Sequence, residues 1–162
     1  MKVGIVLYSQ TGNTQRVIDD LRVKLEARGI QVEVHSILPA TAADAQSRPE
    51  AAPPLDGSSS CQLWVVAAPV QGWAPAKPMT EFLKSAAFPA GSRAVLLVTQ
   101  GFWFPWFGAN QSISGLRKLC EERGLDVLDH GIVSWLGRGL EQRIHTVTQR
   151  LAQCLAAEIN GK

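Results

Sequence analysis

Val3-Gly4-Ile5-Val6-Leu7 runs directly into Tyr8-Ser9-Gln10-Thr11-Gly12-Asn13-Thr14, an apolar pentad followed at once by small and polar residues. A short continuous apolar run fits a strand buried on both faces, the habit of parallel sheets. Val17, Ile18, Leu21 and Leu25 then recur at helical spacing and stop at Gly29, a suitable residue just past a helix end. The stretch therefore reads as strand, loop, helix. A helix N-terminus presents unpaired N–H groups and about half a positive charge, so a loop of small residues there is an anion site. Ser9, Thr11 and Thr14 add hydroxyl donors, and Gly12 permits a backbone turned inward as a nest. No lysine is required. The plain alternative is an N-cap supplied by Thr11 or Asn13, which would not call for so many consecutive donors.

Working outward, the alternation continues. Gln31–Ile37 alternates as a strand, and Leu63–Ala68 and Ala94–Val98 are further continuous apolar runs. Met79, Phe82 and Leu83 mark a helix after Pro78. Ile113, Leu116, Leu119 and Cys120 mark another that ends at Gly124. Asp126–Trp135 forms a mixed strand, and Ile144, Val147, Leu151 and Leu155 line a last helix. Five strands with crossover helices predict an α/β doubly wound parallel sheet with helices on both faces. In such sheets ligands bind beyond the carboxyl ends of the strands, where the winding reverses. The segment Pro39–Ser60, rich in Ala, Pro, Ser and Asp, shows no period and stands where a second helix is expected. With no repeat and no boundary in view, residues 1–162 read as one α/β domain rather than two.

Composition narrows the function. The chain has 162 residues, 46% hydrophobic and 19% charged, which excludes disordered and collagen-like classes. No apolar run is long enough to span a bilayer, and the first strand starts too early for a signal peptide, so a cytoplasmic protein with no membrane role is expected. The formal net charge of +2 is dispersed, which argues against nucleic acid. Cys61, Cys120 and Cys154 are far apart and lack CxxC spacing, so they read as reduced structural thiols, and His35, His130 and His145 have no metal-ligand spacing. The chain contains no GxxxxGK[ST], GxSxG or HExxH, and no acidic residue follows Leu7 as a phosphoacceptor receiver would require.

Ser9-x-Thr11-Gly12-Asn13-Thr14 after a first strand resembles the phosphate loop of flavodoxins, which grips the 5'-phosphate of FMN without a basic side chain. Two more segments are similar to flavodoxin loops: Ala68–Pro75, with Pro69, Val70, Gln71, Gly72 and Trp73, after the third strand, and Thr99-Gln100-Gly101-Phe102-Trp103 after the fourth. The resemblance covers the whole chain. It implies a flavodoxin-like sheet of order 2-1-3-4-5, FMN as cofactor, and Ser9 to Thr14, Pro69 to Trp73 and Thr99 to Trp103 as the cofactor-binding residues. It also implies that the Gln71-Gly72 peptide lies beside flavin N5 and flips on reduction, a motion that glycine makes cheap.

At the place where many flavodoxins set a Trp against the flavin this chain has Gln71, with Trp73 two residues on. Flavodoxins also commonly surround the cofactor with carboxylates, whereas no Asp or Glu occurs between Ala67 and Thr80 or between Val98 and Leu119. A second electron should then be easier to add than in acidic relatives. Phe102–Phe107, FWFPWF, is too aromatic to face one core. It reads as flavin cover plus a contact for a redox partner protein or for a second copy, with satellite core as the alternative. An electron carrier between partner proteins is the leading expectation, and none of its residues need be catalytic. An NAD(P)H-dependent FMN or quinone reductase on the same fold is the runner-up, and a non-redox module that has lost the flavin the third.

Overall fold

The computed structural model describes residues 2–37, 55, 59–101 and 108–161. Strands β1 (Lys2–Tyr8), β2 (Gln31–Ile37), β3 (Leu63–Gln71), β4 (Ala74–Pro75), β5 (Arg93–Gln100) and β6 (Asp126–Ser134) alternate with helices α1 (Asn13–Glu26), α2 (Lys77–Ser85), α3 (Ala109–Glu122) and α4 (Leu140–Asn160). The main sheet is parallel throughout, in the order β2-β1-β3-β5-β6.

That is the expected order, with one element the apolar runs do not announce. Residues 69–71 prolong β3 past its core segment, and the chain turns back at Gly72 and Trp73 so that β4 pairs antiparallel with it, Val70 opposite Pro75 and Gln71 opposite Ala74. Five strands become six because of this tip, and the fourth and fifth parallel strands are β5 and β6. Pairing of two residues, one of them a proline, leaves no hydrophobic period to read.

The sheet is covered on both faces. On one, α1 and α4 pack Val17, Ile18, Leu21, Ile144, Leu151 and Leu155 on Ile5, Leu7, Val65 and Leu97. On the other, α2 and α3 pack Met79, Phe82, Leu83, Ile113 and Leu116 on Val6, Trp64, Val66, Leu96 and Val98. Trp64 is the largest fully buried side chain, its ring edge-on to Phe88 at 5.1 Å and seated over the bare backbone of Gly4 on the adjoining strand. Of Pro39–Ser60, only Leu55, Ser59 and Ser60 lie among the described residues; Leu55 is buried and its carbonyl accepts the N–H of Ala87 at 2.7 Å. Cys61, Cys120 and Cys154 are free, and burial pushes the Cys120 thiol up to about 12, which leaves it unreactive at neutral pH.

Candidate functional site

Where β1 ends, its fully apolar pattern stops and the chain must turn into α1. Gly12 makes that turn at φ 85°, a left-handed conformation that any side chain would strain, and its carbonyl receives the first helical bond, from Arg16 N–H at 3.0 Å. Neither Thr11 nor Asn13 caps the helix. Instead Ser9 Oγ accepts the N–H of Gln15 at 3.2 Å, which fixes the loop against the first turn from outside. The N–H groups of Gly12, Asn13 and Thr14 meet no acceptor among the described residues. No acidic residue stands in that turn. Three donors with a helix dipole behind them thus point out from the carboxyl end of the sheet.

Next to this turn lies a cleft of about 310 Å³, which Asn13 lines. Gln10, Thr11 and Asn13 form its floor, Pro69, Val70 and Gln71 come from the end of β3, Thr99, Gln100 and Gly101 from the end of β5, and Trp135 and Leu136 follow β6. None of these eleven residues is ionisable. The volume is at the lower end of the range for small-molecule sites. A larger and shallower depression of about 570 Å³ lies by Lys2, Glu26 and Glu33, at the amino ends of β1 and β2. No helix begins there, so it lacks the donors that would hold an anion.

Several expected site residues have specific places. Thr14 and Thr99 are buried, and their hydroxyls bond to each other at 2.8 Å, tying the first turn of α1 to the end of β5. The Thr14 hydroxyl is therefore committed within the protein. Gln71 Nε2 donates to Gln10 Oε1 at 2.9 Å, a link between the β3 and β1 loops across the cleft. Gly72 turns the β3–β4 tip at φ 62° with open space on its side-chain position, and Trp73 beside it is 63% exposed. Gly101 is exposed at the mouth. Phe102, Trp103 and the rest of the aromatic run lie outside the described residues.

Trp135 and Leu136 are the cleft residues that the strand and loop patterns do not mark as such. Trp135 N–H donates to Gln100 O at 2.9 Å, which prolongs the β5–β6 pairing and brings the indole to the cleft wall. The Arg16 guanidinium lies over this ring, 5.7 Å from its centroid, and pairs with Glu141 at the start of α4. Arg143 donates to the carbonyls of Ser134 (3.1 Å), Leu136 (3.0 Å) and Arg138, so one guanidinium holds the whole β6–α4 loop. The available signal for Trp135 is its place: the residue after the strand next to β5 borders any site at the carboxyl end. Arg143 has none, because its role depends on the path of a loop.

The order of the sheet, its helices on both faces and a cleft at the carboxyl ends of β1, β3 and β5 define the flavodoxin fold. Solved structures agree. The chain is similar to a flavodoxin from Streptococcus pneumoniae, with TM-score 0.70 and 19% identity over 98% of this chain and 99% of that one. It is similar to flavodoxin 1 from Bacillus cereus, with TM-score 0.71 and 17% identity over 96% and 98%. Against rubredoxin oxygen:oxidoreductase from Desulfovibrio gigas the TM-score is 0.61 at 16% identity, covering 96% of this chain but only 37% of the larger protein. No family model matches the sequence, and no curated protein matches it. Among the described residues no helix is long and apolar enough to cross a membrane, and no group of three metal-ligating side chains occurs.

Proposed function

We propose that the chain binds FMN in the cleft and carries electrons between partner proteins. The observation that carries this reading is the first turn of α1: three N–H groups without acceptors among the described residues, no carboxylate in the turn, and a cleft of neutral residues beside it. Such a turn suits a phosphate monoester, whose charge is met by dipoles. Ser9, Thr11 and Asn13 with the amides of Gly12 to Thr14 would hold the phosphate. Pro69 to Trp73 and Thr99 to Gly101, followed in sequence by Phe102 and Trp103, would flank the ring. Bound FMN supplies one-electron redox chemistry, and the protein's part is to grip and orient it and to keep water from its inner face. The flavodoxins among the structural neighbours support the reading through the fold they share with this chain.

Titration of the purified apoprotein with FMN and with riboflavin tests it. FMN should bind at least about a hundredfold more tightly, a difference of about 2.7 kcal/mol for the phosphate. Equal affinity would remove the phosphate grip, and no uptake of either would remove the flavin. Slow anaerobic reduction of the loaded protein should then pass through two resolved one-electron steps. Direct and rapid reduction by NADPH would replace the carrier with the reductase.

A further inference from the structure

Each rim of the cleft pairs an exposed apolar side chain with a cation. Trp73 is 63% and Leu136 55% exposed, two of the three large apolar residues most open to water among the described residues. Lys77 follows the first at the start of α2, just past β4, and Arg138 follows the second within the β6–α4 loop. In the described loops and first turns at the carboxyl end of the sheet, residues 9–16, 69–80, 99–101, 108–112 and 134–143, four cations stand against one carboxylate. Arg16 is paired with that carboxylate, Glu141, and Arg143 is spent on backbone carbonyls. Lys77 reaches Glu81 only at 3.8 Å with its own side chain 84% exposed, a pair that water screens. Arg138 is exposed and has no ion pair among the described residues.

Helix ends add to this field. α1, α2 and α3 all begin at this end, and none has an acidic residue in its first turn; the phosphate of bound FMN would meet the end of α1, which leaves those of α2 and α3 uncompensated in the loaded protein. At the opposite end of the sheet the helix C-termini carry both signs: Glu26 pairs with Arg22, Glu158 with Arg93 and Glu121 lies by Arg117, and Lys24 and Lys84 stand in the last turns of α1 and α2. What sets the cleft end apart is therefore local: Lys77 and Arg138 are exposed there with little or no pairing among the described residues, although the formal net charge of the chain is only +2.

We propose that the face around the cleft docks an acidic electron-transfer protein, with Trp73 and Leu136 as apolar contacts and Lys77 and Arg138 as the charges that steer it. This rests on the flavin reading above and inverts the charge sign common around the cofactor in flavodoxins. A protein fits better than an anionic membrane, because two exposed cations on separate loops fall short of the basic cluster that lipid headgroups require. Steering of this kind acts on the association rate and fades with salt.

Ferric cytochrome c, which is basic, and its succinylated form, which is acidic, provide one acceptor with two charges. The FMN-loaded protein, fully reduced, is mixed with each under anaerobic stopped flow. One electron passes to each haem iron, ferric becoming ferrous, so two cytochromes reoxidise one flavin. The succinylated form should react about tenfold faster at low ionic strength, and the two rates should converge as salt is added. Lys77→Glu with Arg138→Glu should reverse the preference, and the milder Lys77→Gln with Arg138→Gln should abolish it. Equal rates for both forms, or a faster native cytochrome, with a normally loaded flavin would overturn the docking proposal and leave the flavin reading standing. Sedimentation of the holoprotein with phosphatidylserine vesicles, lost in the same variants, would overturn it in favour of a membrane surface. If no flavin is taken up, both readings fall.

Discussion

Two glycines show how single positions constrain this chain. A Cβ on Gly4 would lie 2.4 Å from the Trp64 ring, and Trp64 is fully buried with Phe88 packed edge-on to it, so the ring has little room to give. Gly4→Ala should therefore cost about 1 to 3 kcal/mol, the range for overpacking a filled core. Its urea midpoint should fall with an unchanged slope, and Gly4→Ala combined with Trp64→Leu should recover part of the loss; an unaltered midpoint would mean that Trp64 is not seated on β1. Gly72 differs, because its side-chain position is open and only its φ of 62° resists substitution. Gly72→Ala should cost about 1 to 2 kcal/mol in the tip that turns β3 into β4. If the Gln71-Gly72 peptide responds to the redox state of the flavin, the separation between the two one-electron midpoints should also shrink. Stability loss with an unchanged separation would make Gly72 a turn residue alone.

Helices α1 and α4 meet through a polar contact inside an apolar seam. Asp20 accepts from Lys24 one turn on and from Thr148 of α4, whose single hydroxyl proton also has the Ile144 carbonyl within reach at 2.8 Å. Burial raises the Asp20 carboxyl, but the bonds from Lys24 and Thr148 and the charge of Lys24 outweigh it, so the net direction is down. A carboxyl whose folded value is lowered favours the folded state above its unfolded value, near 3.9, and loses that contribution as pH falls through the lower folded value. The urea midpoint of the protein should accordingly drop between pH 6 and pH 2.5, and Asp20→Asn should reduce the size of that drop. An equal drop in the variant would place the acid sensitivity on other carboxylates. The apolar side of this seam was legible in the sequence, since Val17, Ile18, Leu21 and Leu25 recur at helical spacing. The polar contact was not, because Asp20 and Thr148 are 128 residues apart and nothing local pairs them. The β3–β4 tip was hidden for another reason, as two residues of pairing carry no period.

At the scale of the whole molecule, the parallel order forces the ends of β1, β3, β5 and β6 to converge, and every wall of the cleft comes from one of those ends. That is why the loop after β1, with Thr11 and Asn13, could be singled out from its place at a strand end, while Pro69 to Gln71 and Thr99 to Gly101 were marked by the resemblance to flavodoxin loops at the ends of the next two central strands. Arg143 could not, since its part depends on how the β6–α4 loop lies, and Trp135 had only its place just after β6 to mark it. Convergence also makes the cleft a place where one ligand would join four strands and the start of α1. The Thr14–Thr99 hydroxyl bond already crosses part of that gap at 2.8 Å. A ligand that binds only the folded chain stabilises it by RT ln(1 + [L]/Kd), about 2.7 kcal/mol at a hundredfold excess over Kd. For a chain of 162 residues this corresponds to a rise in Tm of roughly 5 to 10 °C. FMN should produce that rise, riboflavin much less at the same concentration, and the effect should be lost when Gly12→Val distorts the turn that aims the three amides. Thr99→Val separates the two contributions, because it removes the internal bond and leaves those amides in place. The apoprotein should lose about 0.5 to 1.5 kcal/mol while most of the FMN-induced rise persists. If the rise vanished in Thr99→Val but survived in Gly12→Val, the ligand would be held at the β5 loop and the phosphate grip would have to be moved there.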